Sequence, residues 1–173
     1  MMRAAFPLLL LALAACSDRS GTDGSESDFA SRVGAGIATP GAGQPGAPVE
    51  TKAAKGPPPA NADVFALEKL GDISGVDLGP RAGGCTFSSA GTEMLVAAGP
   101  ADRALPGKGV VRIGGKLIEL DTPPGGLEAI EGGTTFTGEG FSVRIQPTGK
   151  GQAMMTIAQG EDRKAIVGDY VCA

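Results

Sequence analysis

Glycine cuts the C-terminal half of this chain into short runs, and within those runs apolar and polar residues alternate with a period of two. That period sends successive side chains to opposite faces of an extended strand, so the pattern specifies sheet with one face buried. It predicts strands at Cys85–Ser88, Glu93–Ala98, Val110–Ile113, Lys116–Leu120, Thr134–Thr137, Phe141–Gln146, Ala153–Ala158, Arg163–Val167 and Asp169–Cys172. Nearly every gap holds a glycine. Ile113-Gly114-Gly115-Lys116 is the cleanest hairpin, because two glycines can take the positive φ angles of a tight turn. Gly138-Glu139-Gly140 and Gln159-Gly160-Glu161-Asp162 read as turns of the same kind. The expected fold class is mainly β, a small antiparallel barrel or sandwich of about eight short strands. Ahead of it, Val64, Leu67 and Leu70 recur three apart before Gly71, which predicts a short helix over Ala62–Leu70.

Composition limits the chemistry. The 173 residues include 29 glycines, 13 prolines, one tyrosine, and neither tryptophan nor histidine. Without histidine, Ser-His-Asp and Cys-His catalysis, His-ligated zinc or haem iron and the usual neutral-pH acid–base group are excluded. The formal net charge of −4 is mild and of the wrong sign for phosphate backbones, so nucleic acid is not an expected partner. Residues 63–173 carry 14 acidic and 10 basic side chains, so the whole −4 belongs to that region.

The amino terminus has a different character. Arg3 precedes an apolar run from Ala4 to Ala15, shorter than the roughly 20 residues a membrane-spanning helix needs. A basic start and small residues at the end are the layout of an export signal. Leu13-Ala14-Ala15-Cys16 resembles a bacterial lipobox, which implies that residues 1–15 are removed and that Cys16 carries lipid and becomes the mature terminus. Apolar burial of about 0.8 kcal/mol per CH2 lets several acyl chains hold a folded domain on a membrane. Ser17 after the cysteine resembles the pattern of outer-membrane lipoproteins, although Asp18 follows one place later. The alternative is an ordinary secretory signal cut after Ala-x-Ala. Residues 16–62 are rich in Gly, Ala, Pro and Ser and lack periodicity, so they are expected to form a disordered tether ahead of a small β-domain over residues 63–173.

With Cys16 assigned to lipid, Cys85 and Cys172 remain as an even pair in an exported chain. They bracket the strand-rich region, and a bridge between them is the expectation. Two free thiols or a redox pair are the alternatives, though neither cysteine sits in Cys-x-x-Cys.

Motifs with chemical content are few. Gly107-Lys108, Gly115-Lys116 and Gly149-Lys150 lack the rest of a phosphate loop and read as exposed turns. Glu128, Glu131 and Glu139 could pair as glycosidase carboxylates, and Asp121 or Glu161-Asp162 could bind calcium, but solvated acids fit the spacing better. Met154 and Met155 fall on opposite faces of a strand, which makes core filling a better reading than copper binding. No cofactor and no metal ligand are expected.

Taken in order, Cys85, the segment Val111-Arg112-Ile113-Gly114-Gly115-Lys116-Leu117-Ile118-Glu119-Leu120, Glu131-Gly132-Gly133-Thr134-Thr135-Phe136, Phe141-Ser142-Val143-Arg144 and Cys172 resemble the membrane-bound inhibitors of C-type lysozyme. Those proteins are small lipid-anchored or periplasmic β-barrels. The likeness implies a binding surface built from Thr134, Phe136 and Arg144, with Phe136 standing where the family has tyrosine. The serines and tryptophan of the family's site are missing. The leading expectation is therefore a lipid-anchored cell-envelope protein, outer-membrane and facing the periplasm, whose non-catalytic β-domain binds a protein partner or stabilises the envelope. Lysozyme inhibition is the alternative, and a periplasmic enzyme working through carboxylates alone comes third.

Overall fold

The computed structural model describes residues 51–173. The expected signal segment, Cys16 and the expected tether as far as residue 50 lie outside the described residues.

Eight antiparallel strands close into one barrel in sequence order. They are β1 (Gly83–Ser89), β2 (Thr92–Gly99), β3 (Pro106–Ile113), β4 (Lys116–Pro124), β5 (Thr135–Gly138), β6 (Phe141–Gly149), β7 (Gln152–Gln159) and β8 (Asp162–Cys172), with a one-turn helix α1 (Gly126–Glu131) between β4 and β5. Closure comes from β1 pairing with β8, Cys85 opposite Cys172 and Phe87 opposite Tyr170. Each strand alternates as its sequence does. Val143 and Ile145 point inward while Arg144 is exposed, and the same rhythm continues through Ala153, Met155 and Ile157.

The β3–β4 hairpin turns on Gly114 and Gly115 at φ 57° and 79°, positive at both central positions as a type I′ turn requires. The last two expected strands are one continuous strand. Gly168 opens no turn; it lies where β8 crosses β1, and a Cβ there would collide with the Ser88 carbonyl and the Phe87 ring. Gly107-Lys108 likewise belongs to β3 and not to a turn.

The barrel is filled. Phe87, Leu95, Val111, Ile113, Leu120, Phe136, Val143, Met155 and Ile157 are all fully buried in one interior cluster. Each such side chain contributes roughly 1.5–3 kcal/mol of burial. Helix α1 closes one end, its Ile130 entering the core and its carbonyl accepting a 2.7 Å hydrogen bond from the Tyr170 hydroxyl. At the other end Ala62, Val64, Phe65 and Leu67 join the same cluster, and Lys164 Nζ donates to the Phe65 carbonyl at 2.8 Å.

These last residues belong to a strap, residues 51–80, that runs over the outside of β2, β3 and β4. The expected Ala62–Leu70 helix does not form; the segment is turns and extended chain, with Asp63 Oδ1 accepting from the Phe65 N–H at 2.8 Å. A helix would carry Val64, Leu67 and Leu70 on one stripe, whereas here Val64 and Leu67 enter the barrel end and Leu70 packs on the outer face. Leu70 and Leu78 form that outer cluster with Ala98, Val110 and Leu117. Residues ahead of the boundary expected at residue 63 thus already pack on the barrel. Ala54 already pairs with Ile118, donating to the Leu117 carbonyl and accepting from the Glu119 N–H, both at 3.1 Å.

Candidate binding surface

The strap divides the outside of the barrel into a covered and an uncovered half. Under the strap, Arg112 is 7% exposed although its strand position points it away from the core. Its Nε donates to the Leu70 carbonyl at 2.8 Å and its Nη1 to the Gly115 carbonyl at 2.7 Å. The Glu68 carboxylate accepts from the Gly115 N–H at 3.0 Å. Beside them Lys55 lies 3.0 Å from Asp121 and 3.5 Å from Glu119, and Lys108 reaches Glu119 at 2.7 Å. Hydrogen bonding and the Asp121 charge raise the Lys55 pKa above the ordinary lysine value. The two acids that β4 brings together are thereby engaged by lysines, which accounts for Asp121 without a bound cation.

The uncovered half is the outer face of β5, β6, β7 and β8. Arg144 stands at its centre, opposite Thr135 on β5 and Thr156 on β7. Gln146 follows on the same face, opposite Met154, which in turn faces Val167. Val167 and Val171 are 65% and 63% exposed. The result is a sheet surface with Arg144 set among hydroxyls, an amide and short apolar groups, and with Arg163 and Asp169 along its β8 margin. A wide-open hollow lined by Thr137, Ser142, Ala158 and Arg163 lies on it, and so open a shape suits a macromolecular partner better than a small molecule.

Of the residues nominated from sequence, Arg144 is on the surface as expected. Thr134 is half-buried, and its carbonyl accepts from the Ile145 N–H at 2.9 Å. Phe136 is corrected: it is completely buried and packs in the barrel core, so it cannot touch a partner. Alternation in Thr135-Phe136-Thr137 carried the signal, since the apolar residue between two threonines faces inward. The residue beside Arg144 is Thr135, one place beyond Thr134. Cys85 and Cys172 form a disulfide, with Cα atoms 4.0 Å apart. Gly84 and Ala173 next to them exchange both backbone hydrogen bonds at 2.9 Å, which makes the cysteines a non-hydrogen-bonded pair, the position where opposing side chains come closest.

Among the described residues Tyr170 is the strongly shifted titratable group. Burial, with a smaller contribution from the Glu131 charge, raises its pKa far above the ordinary tyrosine range, and its hydroxyl serves as a donor to α1. Glu128 pairs with Arg103 on the surface, and Glu131 and Glu139 are exposed. Met155 is buried in the core and Met154 half-buried outside, as strand alternation requires. Among the described residues no group of three histidine, cysteine, aspartate or glutamate side chains is placed to hold a metal ion, and no helix is long and apolar enough to cross a membrane. The chain matches no protein-family model, no curated protein and no solved structure.

Proposed function

We propose that the chain is a lipid-anchored cell-envelope protein, held in the outer membrane facing the periplasm through Cys16, and that its barrel is a non-catalytic module binding a protein partner on the Arg144 face. One observation carries the reading: the barrel is packed solid and closed at both ends, while its strap covers only one side of the exterior. Interior volume is therefore not where a ligand goes, and the uncovered face is the part of the surface that the described residues leave without a structural task. Arg144 has no acidic neighbour across its strand, Thr135 and Thr156 flanking it instead. An exposed arginine amid hydroxyls, with no ion pair among the described residues, is well suited to steer and orient an acidic or hydrogen-bonding surface. The anchor rests on Leu13-Ala14-Ala15-Cys16 following an apolar run, and mass spectrometry of the native protein should find acyl chains on Cys16. An unmodified terminus elsewhere removes the anchor. Binding is tested by a photo-crosslinking residue at Gln146 in intact cells, which should yield an adduct with another protein.

Inhibition of a C-type lysozyme is the second reading. It is favoured by the pairing of Thr135 with Arg144, which sets an outward residue of β5 beside the arginine on β6. A bacterial-lysis turbidity assay decides it. Full lysozyme activity at micromolar excess of the protein ends that reading and leaves the anchored binding module in place.

A further inference from the structure

Closing a staggered barrel leaves short stretches of strand edge at its rim, and this chain treats them unequally. The strap fills three of them with backbone bonds: two from Ala54 on β4, and one each from the Glu68 N–H to the Arg112 carbonyl on β3 and from the Leu70 N–H to the Glu93 carbonyl on β2. The edge on β8 receives none. Strand β8 pairs with β7 from Asp162 to Asp169, but β1 reaches it only from Asp169 to Cys172. Alternate residues of an antiparallel strand turn their N–H and C=O to opposite neighbours. Tyr170 donates toward β7, to the Gly151 carbonyl at 2.7 Å, so Arg163, Ala165 and Val167 turn theirs outward. Among the described residues only the Val167 carbonyl finds a partner, the Ser89 hydroxyl at 3.0 Å. All three residues are exposed. An edge with free donors and acceptors is a template for another strand.

We propose that this edge pairs with the same edge of a second copy of the chain, antiparallel about a twofold axis through Ala165. The two-fold is fixed by the pattern: Ala165 then meets Ala165, and Arg163 meets Val167, all residues whose backbone groups face outward. The side chains agree with it. Arg163 donates only to the carbonyls of Gly160 and Asp162 at its own turn, and Asp169 makes no ion pair among the described residues. In the paired strands each Arg163 lies diagonal to the partner's Asp169, within reach of a long side chain, and symmetry makes the contact twice. Small Ala165 at the axis lets the backbones approach, and Val167 lies against the arginine stem. This inference goes beyond the proposed binding of another protein and does not depend on it.

Sedimentation equilibrium of the full chain in a density-matched mild detergent tests it. The expected result is a reversible dimer. Ala165→Pro deletes an N–H that faces the open side and none that bonds β7, so it should abolish the dimer. Arg163→Asp should weaken it by about two- to fivefold, the size expected of exposed charge pairs, and Asp169→Arg added to it should restore the affinity. The rescue keeps the test decisive even if the proline variant misfolds. A wild-type chain that is monomeric at all concentrations, or a dimer indifferent to Arg163→Asp, overturns the proposal. Adducts of Gln146 with a different protein would persist in that event and keep the two readings separate.

Discussion

The two sides of this barrel solve the same problem differently. Over β2, β3 and β4 the outward-facing Val110, Leu117 and Ala98 are apolar and need cover, which the strap supplies with Leu70 and Leu78. Over β5 to β8 the outward positions around Arg144 are the polar Thr135, Thr156 and Gln146, and the apolar Met154, Val167 and Val171 beside them have no cover from the strap. The two outer faces therefore differ in what they do for the protein. Substitutions on the covered side should cost stability, and those on the uncovered side should cost binding.

Four substitutions sharpen that contrast. The disulfide joins the uncovered side to β1, where the barrel closes. Replacing both cysteines by serine releases a loop with a sequence separation of 87 residues, and by the chain-entropy model should cost about 4 kcal/mol in denaturant unfolding. Leu70→Ala removes the centre of the strap cluster and should cost about 3 kcal/mol, because the site is fully buried and the barrel wall beneath cannot collapse into the space. Tyr170→Phe deletes the bond to the Ile130 carbonyl and should cost about 1 kcal/mol at neutral pH. On the uncovered side, Arg144→Ala should shift stability by less than about 0.5 kcal/mol, since the side chain is exposed and has no ion pair among the described residues. If Leu70→Ala were as mild as Arg144→Ala, the strap would be decoration and the division into two sides would fail.

Tyr170 also sets the pH response. Its folded pKa is raised from 10.0, so above pH 10 the unfolded chain ionises a phenol that the folded barrel keeps neutral. Stability from this group is complete below the ordinary tyrosine value and falls as the pH rises through and beyond it. Lys55, also raised, acts in the same direction at high pH. Thermal stability should therefore fall above about pH 10, and Tyr170→Phe should flatten part of that limb. A decline equally steep in the phenylalanine variant would assign the alkaline response to other groups.

The strands were legible because sheet against a core writes a period of two directly into the residues: Phe141, Val143 and Ile145 alternate with Ser142, Arg144 and Gln146. The strap was not. It bonds through isolated residues, Ala54, Glu68 and Leu70, separated by turns, so no period accumulates. Spacing alone made Val64, Leu67 and Leu70 look helical, while tertiary packing splits them between the barrel end and the outer face. Gly168 looked like a break because a glycine required by close approach has the same letter as one required by a turn. Helix α1 spans only six residues and starts at glycine, too short to show a helical stripe. At the site, alternation placed Arg144 outside. Phe136 was assigned to a surface by family likeness against its own alternation, and the structure follows the alternation.

The account's central claim is that the uncovered face, and not the strap side, meets a partner. Photo-crosslinking in intact cells compares the two directly, with the reactive residue placed at Gln146 on the uncovered face or at Lys69, exposed on the strap. The account predicts a discrete adduct from Gln146 that Arg144→Ala diminishes, and none from Lys69. Adducts from Lys69 alone, or equal labelling from both, would contradict it.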